Sequence, residues 1–396
     1  MKLNTLNFLK KNKLYLIGPT ESILTKRGNR FPNIAKFFVA EGEDVVYYSS
    51  NFYHAEKRFF TKQEIEEASI NLDYTLRILS VLGYYSNVSP RRVISNLLFS
   101  IKLFFILLRE VAKEDRILLP SRPVELIFFI AILKRLKGVK IYLDIQDVWP
   151  DALNIDNKRK KKVFEVYCNF YLKPSLKYYN EALHVAPSFK LWLRRYARKT
   201  PSSFVPLGWE NERWSDVKLK RYKESSSIKL VCVAQLQHQI DVMPILEVLK
   251  DSTELHLTIL GEDGTGERYN DVINYINNHG INNVTILGKI DRKDMVRYLE
   301  DKDIGVLPMI TSSIPNKIFD YMAAMLPIVV LGQNDSSNFV VENHIGWQCD
   351  FNSKDLGVLL KSLNSMEIQS KKNQVVSLRD NFSRDILHRK IKDIIT

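Results

Sequence analysis

The sequence predicts an α/β chain built from two Rossmann-like domains, and three observations carry that expectation. Short apolar runs alternate with amphipathic, helix-like stretches along almost the whole chain, the pattern of βα units in parallel sheets. The alternation stops at the polar stretch Ser215 to Ser227 and restarts at Ile228. At 396 residues the chain is long for a single core. Residues 1–214 are therefore expected to form a first domain, 215–378 a second, and 379–396 a final helix that crosses back to the first.

Hydrophobic residues make up 45% of the chain and charged residues 26%, a balance that excludes a disordered protein. The cysteines Cys168, Cys232 and Cys349 are odd in number and lack metal-like spacing, which points to a reducing cytoplasm. The opening MKLNTLNFLKKNKLYLIGP has no uninterrupted apolar core and no small-residue cleavage site, so it reads as the approach to a first strand. The longest apolar stretch, Leu97 to Leu108, is broken by Lys102 and is too short to span a bilayer. The net charge of +13 is uneven: residues 1–214 hold 36 Lys and Arg against 21 Asp and Glu, and the rest hold 22 against 24. A basic first half suits an anionic partner. Nucleic acid is not expected, because no helix-turn-helix, zinc-finger or RNA-binding signature is present. An anionic membrane surface or a lipid-diphosphate acceptor accounts for the asymmetry, and so does a generally basic composition with no such partner.

In the first half, Lys13 to Ile17 is a buried strand closed by Gly18-Pro19. The loop Lys26-Arg27-Gly28-Asn29-Arg30 leads into a helix with Ile34, Phe37 and Phe38 on its apolar face, and Asp44 to Ser50 is the next strand. Residues 55–90 have no readable period and are expected to form loops at an interface. Pro90-Arg91-Arg92 opens an apolar helix, read as a core helix in preference to a membrane-contacting one. Strand Arg116 to Leu119, helix Pro123 to Lys137 and strand Lys140 to Asp144 follow, then the loop Ile145-Gln146-Asp147-Val148-Trp149-Pro150-Asp151. Asp147 is a site candidate because open α/β sheets place their chemistry at strand C-termini, although a carboxylate capping a helix or pairing with a basic loop fits equally. His54, after the second strand, reads evenly as a surface histidine or a site residue. The basic run Lys158 to Lys162 is a solvated face before helix Val163 to Tyr179. Strand Ala182 to Ala186, helix Phe189 to Ala197 and strand Ser203 to Pro206 finish the domain.

The second half restarts with strand Ile228 to Val233, helix Met243 to Lys250 and strand Leu255 to Leu260. The Gly-rich loop Gly261-Glu262-Asp263-Gly264-Thr265-Gly266 by itself means only tight geometry. Strand Val284 to Leu287 ends in Gly288-Lys289-Ile290, and helix Asp294 to Glu300 and strand Ile304 to Leu307 follow. Asp301-Lys302-Asp303 has the form of a metal motif but lies at a helix-to-strand turn, the wrong sheet edge for a site. In Ser312-Ser313-Ile314-Pro315-Asn316-Lys317, Pro315 suits the first turn of a helix running to about Met325. Free N–H groups and the positive dipole end favour a phosphate there, to which Asn316 and Lys317 add a hydrogen bond and a charge. Pro327 ends the helix, and Ile328 to Leu331 is a buried strand.

PNKIFDYMAAMLPIVV resembles the P-[SN]-K-[LIV]-[FY]-E-Y-[ML]-A-x-x-x-P-[IV] signature of retaining nucleotide-sugar glycosyltransferases of family four, especially bacterial capsule and O-antigen enzymes. Ser49-Ser50-Asn51-Phe52-Tyr53-His54, Ile145 to Asp151 and Val205-Pro206-Leu207-Gly208-Trp209 resemble further segments of that family, and the likeness covers most of the chain outside residues 55–90. The resemblance implies the GT-B fold, two Rossmann-like domains facing a central cleft. It also implies sugar transfer with retention from a nucleotide-sugar donor, with UDP the expected nucleotide, to a lipid-linked glycan or growing polysaccharide. No metal or other cofactor is expected. The implied location is the cytoplasm, peripherally on the inner face of the plasma membrane.

Donor contacts are implied at Gly261, Glu262, Lys289, Ile290, Ser312, Ser313, Asn316 and Lys317, and at Asp320, which stands where the family has Glu for the ribose. The loop Arg27, Gly28 and Arg30 falls on the acceptor side, and His54 and Asp147 are the catalytic candidates. Gln235 to Gln239 holds no cation where the family often supplies Arg or Lys to the donor phosphates. Two alternatives stay open: a nucleotide-sugar 2-epimerase of the same fold, and a non-catalytic homologue that binds a partner or the membrane.

Overall fold

The computed structural model describes residues 12–25, 29–87, 89–153, 155, 157–214, 217, 222, 227–234, 236, 240–261, 266–291 and 294–396. The chain forms two compact units, Met1–Val205 with His388–Thr396, and Pro206–Leu387.

The first unit runs β1 (Lys13–Gly18), α1 (Arg30–Ala40), β2 (Asp44–Ser50), β3 (Phe52–Tyr53), β4 (Arg58–Phe59), α2 (Lys62–Ser69), β5 (Thr75–Leu79) and α3 (Pro90–Glu110). It continues with β6 (Arg116–Pro120), α4 (Val124–Lys137), β7 (Lys140–Ile145), α5 (Lys158–Ser175), β8 (Glu181–His184), α6 (Pro187–Tyr196) and β9 (Ser202–Phe204). Seven strands pair in parallel in the order β5-β2-β1-β6-β7-β8-β9, and β3 and β4 form a separate hairpin. The order reverses between β1 and β6, so their C-terminal ends flank a crevice, the usual ligand position in such sheets. β1, β6 and β7 are almost wholly buried apolar runs, as strands covered on both faces must be.

The second unit runs α7 (Asn211–Trp214), β10 (Ile228–Val233), α8 (Met243–Lys250), β11 (Leu255–Leu260), α9 (Glu267–His279), β12 (Val284–Ile286), α10 (Met295–Leu299) and β13 (Ile304–Pro308). Then come α11 (Asn316–Ala323), β14 (Ile328–Leu331), α12 (Asp335–Glu342), β15 (Gly346–Cys349), α13 (Ser353–Ser362), α14 (Ser365–Arg379) and α15 (Arg384–Ile395). The parallel order β12-β11-β10-β13-β14-β15 places the reversal between β10 and β13. Each unit is built on a Rossmann-like parallel sheet, and the end of the last helix, from His388, belongs to the first unit.

Three features differ from the sequence expectation. Residues 55–90 are not all loop. A capping box, in which Glu64 N–H donates to Thr61 Oγ1 (3.1 Å) and Thr61 N–H to the Glu64 carboxylate (2.7 Å), starts α2. β5 then pairs with β2, Val46 opposite Thr75 to Ser50 opposite Leu79. As a partly exposed edge strand of 5 residues it leaves too short a period to read. The single helix expected from Arg379 to Ile395 is divided, because the backbone of Trp209 inserts at the break. Trp209 N–H donates to Phe382 O (3.1 Å), and Arg384 N–H donates to Trp209 O (2.9 Å). Beyond Gly332 the second sheet gains β15 as an edge. The end of α15 is held within the first unit by Lys392 on Glu41 (2.7 Å) and Lys390 on the Phe204 carbonyl (3.0 Å).

The β1-to-α1 turn carries a pH-sensitive group. Glu21 accepts from Phe31 N–H at the helix start (3.0 Å), and its carbonyl accepts from Tyr47 Oη (2.6 Å). Burial, then the charge of Asp144, push its carboxyl up from 4.5 to about 8, against the opposing Phe31 N–H and Arg30. A carboxyl raised in the fold makes ionisation destabilising, so stability falls as pH rises from the unfolded value through about 8. Glu21→Gln keeps an acceptor and removes the charge. Melting temperatures measured between about pH 6 and pH 9 are expected to decline less in the variant than in the parent; equal slopes would show that Glu21 ionises freely.

Candidate active site

At the switch point of the second unit, the loops leaving β10 and β13 meet. Ile240 forms a bridge with Met309, and Asp241 N–H donates to Pro308 O (3.2 Å). Over this edge α11 is pinned by one residue. Tyr321 Oη accepts from Val233 N–H of β10 (2.8 Å) and donates to Val306 O of β13 (3.2 Å). Its ring lies flat on β13 because position 305 is glycine, where a Cβ would fall 2.6 Å from the ring. The phenol is fully buried, and desolvation keeps it protonated.

The start of α11 faces that crevice. Pro315 caps it with no side-chain hydrogen bond, so its first N–H groups remain available. Lys317 is half-buried, and burial holds its ammonium below the usual lysine range, with weaker opposition from Cys232 and Asp320. Among the described residues it has no hydrogen-bond or ion-pair partner. The buried Asn316 Oδ1 has none either. Asp320 pairs with Arg213 Nη1 at 3.7 Å, and Arg213 and Arg384 both pair with Glu210.

The serines before the helix serve its neighbour. Ser312 Oγ donates to the Asp335 carboxylate and accepts from Asp335 N–H, each at 3.1 Å, while Ser336 Oγ donates to the Ser313 carbonyl. Gly261, at φ 120°, donates its N–H to Gly288 O (2.6 Å), lacing together the ends of β11 and β12. Lys289 is exposed beside it and Ile290 is half-buried. Glu262 and Gln235 and 237–239 of the cation-poor loop lie outside the described residues.

In the first unit, His54 and Asp147 both follow strand C-termini, and no hydrogen bond joins them. His54 Nδ1 is 2.7 Å from Tyr84 Oη and 3.2 Å from Lys57 Nζ. Since an ammonium can only donate, Nδ1 is an acceptor, and the proton of the neutral ring sits on Nε2. Burial, then Lys57, Arg92 and Arg122, push the ring down to about 3, so it stays neutral at physiological pH. Nδ1 is thus engaged by Tyr84 and Lys57, and the neutral ring carries its N–H at Nε2. Asp147 pairs with Arg122 Nη1 (3.1 Å) and accepts from Val148 N–H (3.1 Å). Arg30 has a structural task. As the first residue of α1 it donates to both Asp144 oxygens (2.8 and 3.0 Å) and to Val205 O (3.1 Å), and is 7% exposed. Arg27 and Gly28 lie outside the described residues.

Sequence reasoning missed Tyr321 and the cations Lys57, Arg92 and Arg122. Arg92 and Arg122 each stand at a proline-marked helix start, in Pro90-Arg91-Arg92 and Arg122-Pro123, a position where a side chain reaches over a strand end. Among the described residues no group of three His, Cys, Asp or Glu side chains is placed to hold a metal, and no helix is long and apolar enough to cross a membrane.

Residues 228–358 match the family described as glycosyl transferases group 1. No curated protein sequence matches the chain. Among solved structures, HepE from Anabaena in complex with UDP aligns with a TM-score of 0.67 at 10% identity, covering 96% of this chain and 98% of that one. A glycosyltransferase from Rickettsia africae aligns at 0.68 and 15%, covering 97% and 98%. WaaG, a glycosyltransferase involved in lipopolysaccharide biosynthesis, aligns at 0.66 and 13%, covering 97% and 99%. The fold is GT-B over nearly its whole length. Its second unit carries a glycosyl transferases group 1 domain, and the chain is an enzyme of the glycosyltransferase class.

Proposed function

We propose that the enzyme transfers a sugar from a UDP-sugar to a lipid-linked glycan or growing polysaccharide, with retention of anomeric configuration, in cell-surface polysaccharide synthesis of the capsule type. The observation that carries this reading is Lys317, half-buried and unpartnered among the described residues at the start of α11, in the domain that matches glycosyl transferases group 1. A cation held out of water is costly until an anion arrives. The donor diphosphate supplies that anion, and Lys317 with the α11 N–H groups stabilises the charge that develops on the leaving phosphate. In this reading no metal is needed for that step, because the ammonium and the helix end provide the positive charge. Solved complexes of HepE with UDP and with UDP-glucose support the choice of nucleotide. Asp320 shares its carboxylate between Arg213 and the ribose hydroxyls, while Gly261, Lys289 and Ile290 border the nucleoside. His54, as an N–H donor, and Asp147 serve the acceptor side.

Peripheral docking on an anionic membrane fits the first unit. A chain of rings runs from Phe105 (55% exposed) through Phe104, Phe129 and Phe128 to Phe170 (66% exposed), linking α3, α4 and α5. Exposed Lys102, Lys162 and Lys173 lie on the same helices. Rings and lysines together suit an anionic interface.

Two experiments test these readings. Lys317→Ala removes a charge-assisted hydrogen bond and should weaken UDP-sugar binding roughly ten- to hundredfold. Asp320→Ala should also weaken it, whereas Asp320→Glu, which lengthens the reach to the ribose, should keep or improve it. Calorimetry showing unchanged affinity in Lys317→Ala would remove α11 from the donor site. Sedimentation with anionic vesicles should show binding at low salt that is lost near 1 M, where the Debye length is about 3 Å. Binding indifferent to salt, or none at low salt, would contradict the docking.

A further inference from the structure

A chain of alternating charges reaches Asp320 from outside α11. Arg384, the first residue of α15, pairs with Glu210, Glu210 pairs with Arg213 of α7, and Arg213 Nη1 lies 3.7 Å from Asp320 Oδ1. The four side chains are only 12–20% exposed, so salt and water screen these contacts less than they screen surface pairs.

The segment that carries Glu210 and Arg213 is itself held down. Gly208 sits at φ 67°, and a Cβ there would fall 2.7 Å from the Phe382 carbonyl oxygen and 2.5 Å from Leu387 Cδ1, so the backbone passes close against the break between α14 and α15. Trp209 Nε1–H donates to Arg379 O (2.8 Å), the Arg379 guanidinium lies over the indole (4.5 Å), and Arg379 Nη2 donates to Trp214 O (2.7 Å). Arg213 therefore projects from a segment anchored on both sides of it, and Glu210 turns its guanidinium.

The last link of the chain has a particular geometry. At 3.7 Å the contact of Arg213 with Asp320 attracts by charge but is too long for a hydrogen bond, so it orients the carboxylate without taking up one of its acceptor positions. Tyr321 fixes the α11 backbone next to Asp320, and Arg213 gives the side chain its direction. A carboxylate oriented in this way can accept from both hydroxyls of a vicinal diol.

We infer that Arg213, held by Glu210 and Arg384, is a positioning residue that sets the Asp320 carboxylate for the 2′- and 3′-hydroxyls of the donor ribose, and so makes the enzyme select a ribonucleotide over its deoxy analogue. The inference rests on the proposed function, in which Asp320 meets the ribose. Loss of the Arg213 charge takes out the cation between the Glu210 and Asp320 carboxylates, and their repulsion then swings Asp320 away from that setting.

The test is calorimetry on the full chain with UDP and with 2′,3′-dideoxy-UDP, for the parent, Arg213→Gln and Arg213→Lys, each variant checked by its melting temperature. The parent is expected to bind UDP roughly tenfold or more tighter than the dideoxy analogue. Arg213→Gln should cut that preference by about threefold or more through weaker UDP binding alone, and Arg213→Lys, which keeps the charge, should retain part of it. Added to Asp320→Ala, Arg213→Gln should change the preference no further, because both act through one carboxylate. Equal weakening of the two nucleotides in Arg213→Gln, or a preference like that of the parent, would overturn the inference and leave Arg213 a role in the fold alone. A further fall on the Asp320→Ala background would overturn it as well. If the parent binds UDP without preference, the inference fails while the diphosphate contact of α11 stands; if the parent does not bind UDP at all, the proposed function fails and takes the inference with it.

Discussion

The placement of α11 depends on the two hydrogen bonds of Tyr321. Its hydroxyl joins the end of β10 to β13 across the point where the strand order reverses, and its ring needs the bare backbone of Gly305 beneath it. Buried hydroxyls must be satisfied, and one that leaves the Val233 N–H unpaired would cost about 1–3 kcal/mol. The same contact decides which way α11 points. Asn316 and Lys317 precede Tyr321 by about one helical turn, so once the phenol is seated they are carried to the crevice edge.

The first unit uses an ion pair for a similar purpose. Arg30 clamps Asp144, which is wholly buried, and the Val205 carbonyl, and so fixes the start of α1 over β7. Removing one partner of such a pair costs about 3–5 kcal/mol, because the other charge is left uncompensated. Arg30, where the β1-to-α1 loop meets the helix, is thereby engaged with the fold.

Much of this was legible from the residues alone. Alternation of apolar runs identified both sheets, because strands buried on both faces have to be continuous in apolar residues, and Pro315 marked the α11 start by its own backbone constraint. Elements with half-exposed strands or short spans, such as β5 and β15, carried no such imprint. Candidate site residues stand out in the sequence where local chemistry speaks, as at Asn316 and Lys317 beside Pro315. The ion pair of Arg30 with Asp144 was not legible, because the two lie far apart in the sequence. The Tyr321 phenol and Arg213 matter through partners distant in the chain, and a one-dimensional reading has no access to those contacts.

The central claim is that the second unit binds a nucleotide sugar through the start of α11. It is tested most directly by the melting temperature of the full chain against a panel of nucleotide sugars. A ligand that binds only the folded state stabilises it, by about 2.7 kcal/mol when present at 100 times its dissociation constant. The account predicts that UDP-sugars raise the melting temperature progressively with concentration, and that Lys317→Ala shifts the response to higher concentrations. A chain that none of the nucleotide sugars stabilises would contradict it.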